Sequence, residues 1–185
     1  MENEKQLAAH EAVKLLEDNM IVGLGTGSTV LYAIEKIAGL MQQGFLVKGV
    51  PTSEKTKALA QHLGIPLLDF KDVQGIDVTI DGADEFTSQL HLIKGGGGAL
   101  FREKLVASIS KKVFFVTDSS KHVHKLGRFK VPIEIVPQAT NYVLQSLQQL
   151  GGKGKIRMRA TTPFVTDQGN HIIDADFGLL TILHN

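Results

Sequence analysis

Short apolar runs alternate with helical patterns along the first two-thirds of the chain. Four runs predict buried strands, namely Met20–Leu24, Phe45–Val50, Asp77–Ile80 and Lys112–Thr117. Apolar residues at helical spacing predict helices over 5–18, 28–41, 53–63 and 98–110, and a further short strand is predicted over 65–68. Strands that alternate with helices over short connections pair in parallel, so we expect an α/β fold with a Rossmann-like parallel sheet and helices on both faces. Ligands bind such sheets at the carboxyl ends of the strands.

A second pattern begins near Gly127. It predicts a strand over 131–136, a helix over 139–150, a strand over 155–160 and a hairpin with arms 164–166 and 171–173. This β-α-β-β order is the first part of a split β-α-β-β-α-β unit. We therefore predict two domains: a Rossmann-like domain over 1–126 and a small ferredoxin-like α+β domain over 127–185 that is incomplete at its C-terminus.

Composition and charge exclude several classes of protein. The chain has no cysteine, which excludes a disulfide scaffold, a cysteine-ligated zinc site and a thiol nucleophile. Its 20 basic and 19 acidic residues argue against a general nucleic-acid binder. No apolar stretch approaches the roughly 18 residues of a membrane span, and the polar N-terminal segment does not resemble a signal peptide. We therefore expect a cytoplasmic protein with neither a membrane nor a nucleic acid as partner.

The first of three glycine clusters lies in the loop Gly23–Thr29, which follows a strand and opens a helix. Clustered glycine brings backbone close to a neighbour, and a helix start suits an anion. Ser28, a predicted helix cap, stands where a dinucleotide fingerprint needs glycine, and the lysine of a P-loop is absent. Both an anion site and a tight turn with glycines for packing remain open.

The second cluster, Gly95–Gly98, follows Lys94 and precedes a helix that carries Glu103. Four consecutive glycines predict either a flexible linker or a backbone nest for an anion or oxyanion. Taken alone, Glu103 is equally compatible with a surface partner of Arg102 or Lys104.

An acidic loop, Asp81–Glu85, follows the strand that ends at Ile80. Three carboxylates within five residues need a metal, a lysine or sugar hydroxyls among them, unless they form a solvated turn. Lys121 closes the loop Asp118–Lys121, which suits a phosphate or a capped turn with a solvated lysine. His122 and His124 could clamp a metal, although surface histidines are commoner.

Together these motifs resemble the ribose-5-phosphate isomerase A family. The resemblance rests on GLGTGST at 23–29, DGADE at 81–85, KGGGGALFREK at 94–104, DSSK at 118–121, VPIEIVP at 131–137 and VTDQGNHIID at 165–174. It runs from the first helix to about residue 180. It implies an aldose–ketose isomerase that interconverts D-ribose 5-phosphate and D-ribulose 5-phosphate in the non-oxidative pentose phosphate pathway, with no metal or other cofactor.

The resemblance also assigns roles to residues. Glu103 is the implied general base that moves a proton between C2 and C1 through an enediolate. Asp81 and Asp84 would hold sugar hydroxyls and assist ring opening, and Lys94 with the glycine N–H groups would stabilise the enediolate oxygen. The implied substrate-binding residues are Thr26, Gly27, Ser28, Thr29, Asp81, Gly82, Ala83, Asp84, Lys94, Gly95, Gly96, Gly97 and Lys121. Of these, 26–29 and 121 would hold the phosphate, and Lys5 is a further candidate outside the motifs.

Two alternatives remain. One is another sugar-phosphate isomerase or lactonase of related architecture, which the combination of DGADE with KGGGGALFREK disfavours. The other is a non-catalytic sugar-phosphate sensor domain, which the presence of Glu103 disfavours. The resemblance further implies a homodimer or homotetramer. Family members usually continue further, so the tail at 177–185 predicts a chain that covers only part of the family's usual length.

Overall fold

The computed structural model describes residues 3–180, which divide into two compact units. The first unit comprises the residues up to Ala83 together with Phe101–Ser120, and the second comprises Asp84–Leu100 together with the residues from Lys121 onward. The chain therefore passes from one unit to the other three times. The domain bounds 1–126 and 127–185 stay a prediction; relative to them, residues 84–100 and 121–126 group with the second unit.

The elements of the described residues follow in chain order. The helices are α1 (Glu4–Val13), α2 (Ser28–Met41), α3 (Glu54–His62), α4 (Leu100–Ser108) and α5 (Thr140–Gln149). The strands are β1 (Met20–Leu24), β2 (Val47–Pro51), β3 (Ile76–Gly82), β4 (Glu85–Phe86), β5 (Leu92–Ile93), β6 (Ser110–Val116), β7 (Val131–Ile135), β8 (Lys153–Ile156), β9 (Met158–Arg159), β10 (Thr162–Pro163) and β11 (His171–Asp176).

A four-stranded parallel sheet in the order β2–β1–β3–β6 forms the first unit, which confirms the predicted parallel α/β fold. Val22 belongs to a buried cluster with Ile34 of α2, whereas Ile21 packs in a separate cluster with Val106 of α4. Adjacent residues of a strand point to opposite faces, so helices cover both faces of this sheet. The strand order changes direction between β1 and β3, and the carboxyl ends of these two strands are where such sheets bind ligands.

The second unit contains a three-stranded antiparallel sheet in the order β7–β11–β8. Leu147 of α5 and Ile173 of β11 belong to its buried core. The insertion of β11 between the two strands that flank α5 is the arrangement of a split β-α-β unit. The predicted tail falls partly at residues 181–185, which lie outside the described residues.

Three local predictions are wrong. The segment 65–68 makes a single parallel bridge, from Leu67 to Gly49, and is not a strand. The arm 164–166 does not pair with 171–173: the N–H of Phe164 donates to the carbonyl of Arg157 (2.8 Å) instead, and β11 takes β7 and β8 as its neighbours. Gly27, with φ 146°, caps α2 in place of the predicted Ser28. None of the helices within residues 3–180 has the length and apolar character that crossing a bilayer requires.

Candidate active site

The first glycine loop lies against Asp81, across the carboxyl ends of β1 and β3. The N–H of Gly25 donates to the carbonyl of Ile80 (2.9 Å). A Cβ on Gly25 would lie 2.3 Å from Oδ1 and 2.7 Å from Cα of Asp81. Only glycine allows this approach. Any side chain at position 25 would displace Asp81, the first carboxylate of the acidic motif.

Thr26 directs both its N–H and its hydroxyl into the protein. Its N–H donates to Oδ1 of Asp81 (3.3 Å). Its Oγ1 lies 2.9 Å from Oγ1 of Thr52, 2.8 Å from Oγ of Ser53 and 3.1 Å from Oγ1 of Thr56. The hydroxyl that the sequence offered as a phosphate donor therefore ties this loop to the start of α3.

Next along the loop, Gly27 and Ser28 are exposed, whereas Thr29 is buried. Nζ of Lys5 donates to Oγ of Ser28 (3.0 Å) and lies 3.9 Å from Oδ2 of Asp118. The start of α2 thus combines exposed backbone with a cation from α1, a combination that favours an anion. Sequence reasoning gave Lys5 little weight because it stands in no motif.

Asp118, another carboxylate of the first unit, is buried and accepts from the N–H of Ser120 (3.0 Å). The N–H of Ser119 donates to Oε2 of Glu4 (2.8 Å). Hydrogen bonds from the side chain of Ser119 and, second, from its backbone hold the pKa of Glu4 below its ordinary value of 4.5. Asp118 therefore caps a short 3₁₀ turn, at the end of which Lys121 is half-buried.

Asp81 and Glu103 are the two buried acids of the predicted catalytic set in the first unit, with 1% and 4% of their surface exposed. Oδ1 of Asp81 also accepts from the N–H of Gly82 (2.8 Å), and Gly82 and Ala83 are half-buried. Burial makes the alternative of a surface glutamate at position 103 wrong. Its neighbour Arg102 pairs with Glu54 (2.7 Å), which lowers the pKa of Glu54.

Within the second unit, Asp84 of the acidic motif contacts the second glycine run. Oδ2 of Asp84 accepts from the N–H of Gly96 (2.7 Å), and a Cβ on Gly96 would lie 2.3 Å from Oδ1 of the same carboxylate. The antiparallel pair β4–β5, with Glu85 opposite Ile93, aligns the two motifs. Asp84 and the glycine run are therefore in direct contact.

Glu85, the third carboxylate of the motif, is a structural group. It is 1% exposed and accepts from the N–H groups of Gly127 (2.8 Å) and Phe129 (2.6 Å). The acidic motif is therefore not a solvated turn, because Asp81 and Glu85 are both buried.

The glycine run is an ordered turn. The N–H of Gly98 donates to the carbonyl of Gly95 (3.1 Å), and both residues have positive φ. Nη1 of Arg157 donates to the carbonyl of Gly96 (2.9 Å). These contacts favour the nest over the flexible linker, and Lys94 lies half-buried directly before it. Sequence reasoning missed Arg157, which is about 60 residues distant and belongs to no local pattern.

The histidine pair shows no sign of a metal site. Nε2 of His122 lies 3.0 Å from Oγ of Ser88, and its ring packs against Phe86 with centroids 5.2 Å apart. Over residues 3–180, no group of three or more His, Asp or Glu side chains could hold a metal ion. The absence of a metal from the reaction stays a prediction from the resemblance.

Comparison with known proteins gives a consistent result. Residues 48–183 match the family described as ribose 5-phosphate isomerase A (phosphoriboisomerase A). The chain is 48% identical over 172 residues to the ribose-5-phosphate isomerase A of Sphingopyxis alaskensis, covering 93% of this chain and 75% of that protein. It is 47% identical to that of Bacillus mycoides, covering 96% and 80%.

Solved structures agree. A D-ribose-5-phosphate isomerase in complex with phospho-erythronic acid superposes with a TM-score of 0.91 at 40% identity, covering 96% of this chain and 80% of that one. The ribose 5-phosphate isomerase from Plasmodium falciparum gives 0.90 at 43% identity, covering 96% and 79%.

Proposed function

The chain belongs to the ribose 5-phosphate isomerase A family, and from that premise we propose how its residues divide the work of the reaction. The protein is an isomerase that interconverts ribose 5-phosphate and ribulose 5-phosphate, a step of the pentose phosphate pathway. The observation that carries the assignment of chemistry is the buried carboxylate of Glu103, five residues after an ordered glycine turn.

Glu103 is the proposed general base. One carboxylate can take the proton from C2 of the open-chain aldose and deliver it to C1, because the two carbons are adjacent. The electron pair left by the C2–H bond forms the enediolate, and its negative oxygen needs donors that are already in place. Lys94 and the N–H groups of Gly95 and Gly97 are the proposed donors. The N–H of Gly96 is already donated to Asp84, so Gly96 is proposed to shape the turn instead.

Asp81 and Asp84 are proposed to hold sugar hydroxyls and to assist opening of the ring. Backbone donors fix both carboxylates: Gly82 and Thr26 donate to Asp81, and Gly96 donates to Asp84. A carboxylate fixed in this way receives a hydroxyl without further ordering. Gly82 and Ala83 are proposed to contact the sugar through their backbone.

The phosphate is proposed to bind at Gly27, Ser28 and Thr29 together with Lys121. Lys5 is proposed as a further phosphate ligand because its Nζ donates to Oγ of Ser28. Thr26 is proposed to orient the loop, since its hydroxyl is engaged elsewhere. Phosphate binding far from C1 and C2 would orient the substrate and so lower the barrier.

The proposal is tested by adding ribose 5-phosphate to the purified chain with EDTA present and following ketopentose formation. We expect turnover in EDTA, and Glu103→Gln should lower kcat by about 10²–10⁴-fold while phosphate binding persists. Lys104→Gln is the control, because Lys104 is the exposed neighbour on the same helix. Turnover lost in EDTA would contradict a metal-free reaction, and near-normal turnover by Glu103→Gln would show another base.

The sugar phosphate is the small-molecule partner that the family supports. A homodimer or homotetramer is proposed from the resemblance. A cytoplasmic location and the absence of nucleic-acid and membrane partners are proposed from the charge balance and the pattern of the sequence. Light scattering of the purified chain measures its oligomeric state directly. A monomer that isomerises at full rate would contradict the proposed homodimer or homotetramer.

A further inference from the structure

Arg157 is fixed at its backbone and along its side chain. It lies between β8 and β9, where its N–H donates to the carbonyl of Ile172 (2.7 Å) and its carbonyl accepts from Phe164 (2.8 Å). Its side chain is 15% exposed. Nε donates to Oδ2 of Asp174 (3.0 Å) and Nη2 to Oδ1, which makes a two-point contact with a carboxylate on the central strand β11.

The third nitrogen of this guanidinium reaches the glycine turn. Nη1 donates to the carbonyl of Gly96 (2.9 Å) and approaches that of Gly95 (3.5 Å). A planar fork with several donors can hold Asp174 and the turn at once, which a lysine cannot do. Arg157 therefore connects the turn to β11, the strand of the small sheet that is paired on both sides.

The direction of the Gly96–Gly97 peptide follows from this contact. Every peptide bond of residues 3–180 is trans, so the N–H of Gly97 points away from the carbonyl that Arg157 binds. The preceding N–H, on Gly96, is turned toward Asp84. Gly97 is exposed. A cation on the carbonyl also polarises the peptide and makes its N–H a stronger donor.

We infer that Arg157 is the positioning residue of the glycine turn: it orients and polarises the Gly96–Gly97 peptide so that the N–H of Gly97 donates to the enediolate oxygen. Arg157 itself touches no substrate. The inference rests on the proposed function, because the enediolate is the anion that this N–H would meet. On this inference, loss of the Arg157 side chain lowers kcat and does not weaken binding of the phosphate group.

The test compares Arg157→Gln and Arg157→Lys with the wild-type chain. Loss of one oxyanion donor costs about 10²–10³-fold in kcat, so misorientation of that donor should lower kcat about 10- to 100-fold for Arg157→Gln. KM for ribose 5-phosphate should change by less than about threefold, since the direct contacts remain. Arg157→Lys keeps the charge without the fork and should recover part of the lost kcat.

Two binding probes separate positioning from a general structural role. Phospho-erythronic acid carries an anionic carboxylate, as the enediolate carries an anionic oxygen, and Arg157→Gln should bind it at least about tenfold more weakly. Inorganic phosphate should bind both chains equally. The control is Arg159→Gln, on the adjacent exposed strand, which should match the wild type in every readout.

The outcomes are distinct. A wild-type chain without isomerase activity would overturn the proposed function. An active wild type whose Arg157→Gln variant keeps its kcat, or loses affinity for phosphate as much as for phospho-erythronic acid, would overturn the inference alone. Should Arg157→Gln fail to fold, Asp174→Asn takes its place, because it loosens the guanidinium without removing it; a normal kcat there would also overturn the inference.

Discussion

Two glycines of the first unit differ in what an added methyl group would meet. A Cβ on Gly25 would strike Asp81 at 2.3 Å, whereas a Cβ on Gly39, inside α2, would meet nothing within 4 Å. Gly25→Ala should therefore displace Asp81 and abolish isomerisation. Gly39→Ala should raise the free energy of unfolding by about 0.5–1 kcal/mol without affecting kcat. Thermal unfolding and initial rates of both variants check this, and an active Gly25→Ala would contradict the close approach.

Lys5 offers a second prediction at the level of single residues. Its Nζ lies 3.0 Å from Oγ of Ser28, and a hydrogen bond to a charged group contributes about 1.5–3 kcal/mol. Lys5→Met should therefore raise KM for ribose 5-phosphate about tenfold or more, with a smaller change in kcat. Lys14→Met is the control, because Lys14 is exposed at the other end of this helix, where it pairs with Glu11. Equal KM values for the two variants would remove Lys5 from the phosphate site.

Single residues also mark the limit of sequence reasoning. Asp81, Asp84 and Glu103 could be proposed from the sequence because they stand in the motifs that carry the resemblance, and for Glu103 the resemblance alone decided. Lys5 could be named only as a candidate outside the motifs and Arg157 could not be named at all, since the contact of each forms only in the folded chain. The sequence predicts a phosphate contact for the hydroxyl of Thr26, because it does not reveal the three hydroxyl groups that surround it in the structure.

At the scale of elements, the start of α3 has two functions. Oγ of Ser53 accepts from the N–H of Thr56 (3.1 Å) and so caps the helix, and it also contacts the hydroxyl of Thr26. Asn3 caps α1 in the same way, accepting from the N–H of Gln6 (2.9 Å). Ser53→Ala and Asn3→Ala should each cost about 1 kcal/mol of stability.

Only Ser53→Ala should also slow the reaction, because it loosens the loop that carries Gly27 and Ser28. Denaturant unfolding measures the first effect and kcat/KM the second. If Asn3→Ala slows the reaction as much as Ser53→Ala does, the link from α3 to this loop is not specific.

Elements with strong local signals matched the prediction best. β1 begins and ends at the predicted residues, and α3 (Glu54–His62) lies within one residue of the predicted 53–63 at each end. The strand over 65–68 was wrong because an apolar run alone does not show whether a neighbour continues the pairing. The hairpin at 164–173 was wrong for a similar reason: its turn forms, with Thr166 N donating to Asn170 O (2.9 Å), but the arms bond elsewhere.

For the molecule as a whole, ion pairs predict how stability depends on pH. A hydrogen bond from Lys111 lowers the pKa of Asp77 below 3.8, one from Lys130 does the same for Asp176, and Arg102 lowers the pKa of Glu54 below 4.5. A carboxylate with a lowered folded-state pKa binds fewer protons than in the unfolded chain. Its contribution is therefore present above these ordinary values and lost as pH falls through and below them.

We expect the urea midpoint to stay level from about pH 7 to pH 5.5 and to fall below about pH 4.5. The decrease should be modest, because exposed pairs are screened by solvent. Lys111→Met should flatten the acid limb of the curve, since it removes the partner of Asp77. An acid limb unchanged by Lys111→Met would remove this ion pair from the explanation.

The overall α/β class could be predicted from the alternation of strands and helices. Which segments of the chain form each of the two units could not be predicted. The chain changes unit after Ala83, Leu100 and Ser120, and each change falls inside a sequence motif. The sequence predicts a boundary near residue 127 because a second pattern of strands and helix begins there. Residues 84–100 join the later unit through contacts such as Glu85 with Phe129, which span more than 40 positions.

The interleaved order of the two units also has a consequence for synthesis on the ribosome. The sheet of the first unit needs β6, so it cannot be completed until residue 116 has left the exit tunnel. By then, residues 84–100 have already emerged without the later segment that completes their unit. During that interval Ile93, which is buried in the folded protein, has emerged before most of its own unit.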